Sequence, residues 1–293
     1  MAGKGRQLRG RIKSVQNTRK ITRTMELVAT SKLKRAQDRV VAARPYAESL
    51  RAVIADLVTP ELSERFPLLR RPAPPERGGP RKAALILVTA NRGLCGAFNA
   101  NLIKEALRRI EALEGAGYQV ELHAVGKKGA GYFKYLRRPL AADRQDIGDK
   151  PTAENSAGVV ASLLVDYEAG RLASVDLVHA RFLSALSTPP TTTRVLPVEP
   201  PADRTRRPDY ILKPDAAAIL AQLLPLYVRN MVYRGLVETV AGFYGAQRSA
   251  MKSATDNAGE IIQHLTRTYN RQRQGQITQE IAEIVGGAAA LQG

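Results

Sequence analysis

ILAQLLPLYVRNMVYRGLVETVAGFYGAQRSAMKSATDNAGEIIQHLTRTYNRQ, residues 219–272, carries one pattern from end to end. Ile219, Leu223, Leu226, Asn230, Tyr233, Val237, Val240, Tyr244, Gln247, Met251, Ala254, Ala258, Ile261, Leu265, Thr268 and Gln272 alternate steps of four and three. That rhythm is the seam of a left-handed coiled coil. Ile277, Ile281, Ile284, Ala288 and Leu291 resume it after Gly275. Pro214 suits a first helical turn, and Pro225 predicts a kink or a short lead-in. A helix of about 75 residues, at ~1.5 Å per residue, spans on the order of 110 Å. No core within this chain can bury it, so it requires an extended partner.

The start of the chain supplies one. Met25, Ala29, Leu33, Ala36, Val40, Ala43, Ala47, Leu50, Ile54 and Leu57 form a second stripe, and Leu8, Ile12 and Val15 extend it upstream with a phase slip near Thr18–Thr22. Pro45 is the lone breaker after Gly10; it biases Arg44 away from helix and predicts a bend. Many seam positions are Ala, which lets two backbones approach closely. The polar seam residues Asn230, Gln247, Thr268 and Gln272 have two readings. They set register at some cost in stability, or the far end leaves the shorter partner helix and meets another protein.

Between the helices lies an α/β domain. Residues 58–81, rich in Pro and Gly, read as a linker. Ala83–Val88, Val120–Val125, Val175–Phe182 and Val195–Val198 read as strands, and Asn99–Leu113 and residues 155–169 as helices. Alternation on this scale implies an open, mainly parallel sheet. The expected organisation is an N-terminal coiled-coil helix over 1–57, a linker over 58–81, an α/β (Rossmann-like) domain over 82–198, a linker over 199–213 and a C-terminal coiled-coil helix over 214–293. The fold class is thus α/β, with a long antiparallel coiled coil of the terminal helices.

Composition narrows the function. The 293 residues carry 45 Lys and Arg against 27 Asp and Glu, a formal charge of +18. Residues 1–57 hold 14 of those cations against four acids, while residues 214–293 hold seven against six. A basic N-terminal third invites nucleic acid, a solvated helix face, or an acidic protein partner. No nucleic-acid motif is present and aromatics are 5%, which disfavours the first. No apolar run reaches the ~18 residues of a membrane span, and the first residues are polar, so no signal peptide is expected. One cysteine, Cys95, excludes an intrachain disulfide framework. His123, His179 and His264 lack metal spacing.

The best local candidate for chemistry is the turn Asn91-Arg92-Gly93-Leu94-Cys95-Gly96 after the first strand, where a doubly wound sheet can hold a phosphate. It matches neither dinucleotide nor P-loop spacing, and its glycines equally serve a tight turn around a small buried cysteine. Gly126-Lys127-Lys128-Gly129 reads as a second basic turn, structural or interacting. No acid/base or nucleophile–base pair stands out, so catalysis by this chain alone is not expected.

Ser14-Val15-Gln16-Asn17-Thr18-Arg19-Lys20-Ile21-Thr22-Arg23-Thr24-Met25-Glu26-Leu27-Val28-Ala29 closely resembles the start of the gamma subunit of rotary (F-type) ATP synthases. So do Ala250–Ala258 and Ile277–Ala288 near the other end, and Arg92–Asn99 in the middle. The resemblance covers essentially the whole chain in order. It implies a non-catalytic rotor shaft whose coiled coil stands inside a ring of three alpha and three beta subunits, with the α/β domain outside on the epsilon subunit and the membrane c-ring. It further implies that this chain binds no cofactor, that Mg-ATP and ADP sit on the alpha and beta subunits, and that membrane association comes only through the complex. Residue by residue, Lys20 and Met25 fall where the family's shaft meets an acidic loop of beta; Arg273, Gln274 and Thr278 fall in the upper stretch that hydrogen-bonds beta. On local grounds Met25 also suits seam packing, and Thr278 a surface hydroxyl. The family reads Ser-Glu, then Ala-Arg-Met, where this chain has Gly242-Phe243 and Ala246-Gln247-Arg248, so the contacts of that Glu and Arg do not carry over. The dithiol insert of chloroplast members is absent, and the lack of a transit peptide favours a bacterial member at the cytoplasmic face of the membrane.

Overall fold

The structure, a computed structural model, describes residues 2–70, 81–199, 212, 213 and 215–290, with the side chains of 2–4 and 288–290 left aside. Much of both expected linkers, Pro214, and the seam positions Ala288 and Leu291 therefore lie outside the described residues or side chains. The chain divides into two units, Met1–Ala29 with Arg248–Gly293, and Thr30–Gln247.

The first unit holds the beginning of α1 (Ala2–Leu57) and the end of α6 (Ala216–Ala290). Gly5 lies beside Gln276, and Gly259 beside Arg19. Arg9 donates to the Tyr269 hydroxyl, and the Thr22 and Thr255 hydroxyls meet at 2.8 Å. As one number falls the other rises, so the two segments run antiparallel. Leu8, Ile12 and Val15 are half-buried, and Thr22, Glu26 and Ala29 buried. With Arg19 included, these positions keep alternating four and three, and the expected phase slip disappears. Polar residues occupy the seam there, which hid it from a search for apolar side chains; Met25 sits on its flank, half-buried. On α6 the inward residues are Met251, Thr255, Ala258, Ile262, Leu265, Tyr269, Gln272 and Gln276. Thr255, Ile262 and Tyr269 replace the expected Ala254, Ile261 and Thr268. At 3.6 residues per turn, neighbouring positions compete for the edge of a stripe, and only the partner helix decides between them.

The second unit is built on a five-stranded sheet of order β3-β2-β1-β4-β5: β1 (Arg81–Val88), β2 (Tyr118–Val125), β3 (Ala142–Arg144), β4 (Ser174–Ala180) and β5 (Pro190–Leu196). All pairings are parallel except β4 with β5, which run antiparallel with a register shift at Val175/Asp176. Helix α3 (Phe98–Gly115) packs its Leu102, Ile103, Ala106 and Ile110 stripe on the sheet, with α4 (Lys127–Tyr135) beside it. Helix α5 (Ala153–Glu168) starts from a Thr152/Asn155 capping box. Its Val160 and Leu163 join Ile86, Leu177, Ile54, Leu220 and Val228 in one core, so α5 and the shaft helices cover the opposite face.

The elements depart from expectation in several places. Inside the expected first linker, Thr59 caps a short helix α2 (Pro60–Arg65), and Val58 and Leu68 are core residues. The Pro-rich composition there reflects a helix start as well as turns. Helix α4 and strand β3 were not expected; Lys127–Lys128 opens a helix and is no mere turn. Both Pro45 and Pro225 lie inside unbroken helices. Pro45 is exposed, so water can satisfy the carbonyl it deprives of a donor. On α6 Leu220, Leu224, Val228, Val232 and Leu236 are buried and Leu226 is exposed, and residues 235–239 and 241–245 are buried throughout. Here α6 lies on a broad core, and the narrow coiled-coil seam gives way to steps of four.

Candidate functional site

A doubly wound sheet offers its ligand crevice at the switch point, outside the carboxyl ends of the two strands where the order reverses. In this chain that point lies between β1 and β4, and α6 fills it. The Ala180 amide donates to Thr239 Oγ1, and the Phe182 amide to Glu238. Phe243 meets Phe98 edge to face, with centroids 6.3 Å apart. Gly242 permits the approach, because a Cβ there would stand 3.0 Å from Phe98 and 3.2 Å from the Ala180 methyl. Gly242-Phe243, the departure noted in the sequence, thus forms the plug. A cavity of ≈ 40 Å³ remains, against the roughly 300–1,000 Å³ of a small-molecule site.

The amides that open α4 are engaged within the fold. At the start of α4 the Lys127, Lys128 and Gly129 amides donate to Asn91 Oδ1, the Ala90 carbonyl and Thr89 Oγ1. Asn99 Oδ1 takes the Ala90 amide. Gly126 makes this docking possible: its φ is +99°, and a Cβ would fall 2.1 Å from the Thr89 carbonyl oxygen. Cys95 is buried, accepts from Asn99 Nδ2, and burial pushes its thiol pKa up. His123 and His179 are buried on different strands, and burial lowers the pKa of each. Among the described residues no cluster of three or more His, Cys, Asp or Glu is placed to hold a metal.

Beside the plug stands a polar cluster with no counterpart in the sequence reading. Asp149 accepts from Lys32 of α1 at 3.1 Å and from Arg92 of the β1–α3 turn. Lys32 also donates to the Tyr244 hydroxyl of α6 at 3.2 Å, and Arg39 donates to the Asp149 backbone carbonyl at 3.0 Å. Lys32 Nζ lies 5.3 Å from the Tyr244 ring centroid. Burial acts to raise the Asp149 pKa, but the bonds from Tyr244, Arg92 and Lys32 outweigh it and hold the carboxyl below its ordinary range. Tyr244 is driven upward, first by burial and then by that carboxylate. Arg92 lies in the turn singled out from the sequence, but Asp149 stands more than 50 residues from each of its partners, so only folding gathers them.

The other candidate surface is the helical pair of the first unit. Arg6, Arg9, Arg11, Lys13, Arg19, Lys20 and Arg23 are all exposed on α1, and of these Arg23 pairs with Glu26. The residues singled out by resemblance fall at two levels. Lys20 is exposed and Met25 half-buried, near the Arg19–Gly259 contact. Arg273, Gln274 and Thr278 are exposed, close to the Gly5–Gln276 contact, about 15 residues or ~22 Å further along α6. The fold does not bring the two groups into one site. Thr278 donates to its own helix, to the Gln274 carbonyl at 3.0 Å. Beyond Gln276 the N-terminal helix offers no further cover. Every residue from 277 to 287 is exposed, Ile277 by 46%, Ile281 by 57%, Ile284 by 71% and Val285 by 62%. The sequence rhythm marked the first three as seam; the hydroxyl pair Thr22/Thr255 and the Arg9–Tyr269 contact it did not signal.

Known proteins share both sequence and fold. The ATP synthase family profile matches residues 4–291. The ATP synthase gamma chain of Gemmatimonas aurantiaca is 61% identical over 293 residues, covering 99% of each chain. That of Paraburkholderia phytofirmans is 40% identical over 302 residues, covering 99% of this chain and all of the relative. Among solved structures, the rotor of the Euglena gracilis mitochondrial ATP synthase aligns over 94% of this chain and 100% of its own, with a TM-score of 0.67 at 18% identity. The central stalk of the Tetrahymena thermophila mitochondrial enzyme aligns over 80% and 99%, with a TM-score of 0.58 at 20% identity; at such identities the likeness is one of fold. With profile and relatives matched along nearly their whole length, the chain belongs to the ATP synthase gamma chain family.

Proposed function

We propose that this chain is the central rotor shaft of a proton-translocating ATP synthase. The observation that carries the reading is the far end of α6, where a regular apolar stripe, Ile277 to Val285, is exposed with none of the described residues covering it. Exposed apolar surface of that kind marks an interaction site. In this reading the stripe turns within a ring of three alpha and three beta subunits, and the exposed cations of α1 face acidic beta loops. Lys20 and Met25 meet beta at the lower level, and Arg273, Gln274 and Thr278 at the upper one. The α/β unit stands on the epsilon subunit and the c-ring, on the cytoplasmic side of a bacterial membrane. The chain itself is non-catalytic: Mg-ATP and ADP reside on the alpha and beta subunits, and the plugged crevice supports assigning no nucleotide here. The membrane is reached only through the complex; no helix among the described residues is long and apolar enough to cross it.

Mechanism follows from asymmetry. Two antiparallel helices present a different face to each beta subunit, and each orientation stabilises a different beta conformation by its differential contacts. Rotation driven from the ring therefore moves each beta through its nucleotide states as a rigid-body change at an interface. Co-expression with alpha and beta subunits tests this: a stoichiometric complex with ATPase activity is expected. A disulfide engineered between beta and the shaft beside Met25 should stop turnover until reduced. Absence of a complex, or full hydrolysis while completely cross-linked, would overturn the reading. Salt-sensitive binding to random DNA as tight as to beta would favour a nucleic-acid role instead.

A further inference from the structure

A shaft driven through its α/β domain needs a joint that resists twist, and hydrophobic packing alone lets surfaces slide. The Asp149 cluster supplies directional contacts at that place. One residue on the loop after β3 is held by α1 through Lys32 and Arg39 and by the β1–α3 turn through Arg92, and Lys32 carries the link on to the Tyr244 hydroxyl of α6 at 3.2 Å. Both shaft helices and two loops of the sheet's carboxyl edge thus meet around Asp149. Around it, Asn91 donates to the Ile147 carbonyl at 2.9 Å and ties the same loop to the β1–α3 turn. The carboxylate is only about a third exposed, and Tyr244 is buried, so water competes weakly for these bonds. Two cations share the carboxylate, and a third holds the backbone carbonyl of the same residue. The bonds are charge-assisted, shorter and more directional than neutral ones.

We propose that Asp149 is a positioning residue that locks the lower parts of α1 and α6 to the α/β domain and so carries torque between them. The proposal rests on the rotor reading, but its two failures are separable. In a complex assembled with alpha and beta subunits, a bead on a cysteine placed at Lys104, on the exposed side of α3, reports the angular fluctuation of the domain during catalytic dwells. Asp149→Asn keeps shape but replaces charge-assisted bonds by neutral ones, roughly half as strong, so torsional stiffness should fall by roughly half. Tyr244→Phe and Arg92→Gln should each give a smaller drop, and Asp149→Glu should restore part of the loss. Unloaded ATP hydrolysis should stay at the parent rate, which a general loss of folding would not allow. Parent stiffness in both Asp149→Asn and Arg92→Gln overturns the proposal; if the first variant does not assemble, Arg92→Gln and Tyr244→Phe decide. Should the parent chain itself form no complex, the rotor reading fails, and amide exchange in the free chain still judges the lock. Asp149→Asn should speed exchange across residues 145–151, and unchanged exchange there overturns it.

Discussion

Asp176 in the α/β unit and Thr22 in the shaft unit are both buried polar residues, and they are treated very differently. Asp176 is 1% exposed and is gripped from two sides, by Arg109 of α3 and Arg194 of β5. Thr22 and Thr255 have each other and one backbone carbonyl apiece, those of Arg19 and Met251. The α/β unit has layers on both sides of a sheet in which to compensate a buried charge. The shaft unit has one inward stripe, with the rest of each helix in solvent. The α/β unit therefore completes itself, whereas the shaft is half of an interface, stable enough to stand and unfinished on its outer side.

That contrast can be broken at several points. The largest effect belongs to Asp176→Ala, which leaves two partly buried guanidiniums without their acid. Denaturant unfolding should show a loss of about 3–5 kcal/mol, and a loss below 1 would mean the arginines re-solvate freely. In the shaft, Thr22→Val removes one of two paired hydroxyls and should cost about 1 kcal/mol. Changing both Thr22 and Thr255 to Val should recover most of it, since no hydroxyl is left seeking a partner. A double variant weaker than the single would show that the layer has other partners.

Smaller still is the pH-dependent share of Asp149. Its folded pKa lies below the ordinary carboxylate range, so its contribution is present above that range and fades as pH falls through the depressed value. Arg92, raised by its bond to Asp149, stays protonated there, and Tyr244, raised by burial, stays neutral. Asp149→Asn should thus lower stability at neutral pH by about 1 kcal/mol at most, given the partial exposure, and match the parent in acid. A gap that persists below the pKa would assign the effect to packing. Least affected should be the chain carrying both Ile281→Ser and Ile284→Ser, whose melting should shift by no more than about 0.5 kcal/mol. Assembly with alpha and beta subunits should nonetheless fail. A large stability loss would mean the far end of α6 is covered within its own chain.

The long helices, the strands β1, β2 and β4, and the helices α3 and α5 were legible because each carries its period over enough residues to outvote local exceptions. The short elements were not. Three-residue β3 and nine-residue α4 are too brief to show a period, and α2 was masked by the prolines around it. The candidate contacts Lys20, Met25, Arg273, Gln274 and Thr278 came from resemblance, and the partners it implies for them belong to other chains. The turn at Asn91–Gly96 was ambiguous in sequence because a phosphate cradle and a packed turn use the same glycines; no local pattern could show that Cys95 is buried there and that Phe243 packs on Phe98 beside it.

The amino-acid order by itself determined that two helices of unequal length flank a parallel α/β layer, and that the longer must end without an internal partner. Periodicity is a property of neighbours along the chain, and the chain alone records it. Which of two adjacent residues enters the seam, whether the crevice stays open, and where Lys32, Arg92, Asp149 and Tyr244 meet were decided only by tertiary structure. Those outcomes depend on contacts between residues more than 50 positions apart. Their energies come from fit and desolvation, and neither exists until the partners are in place.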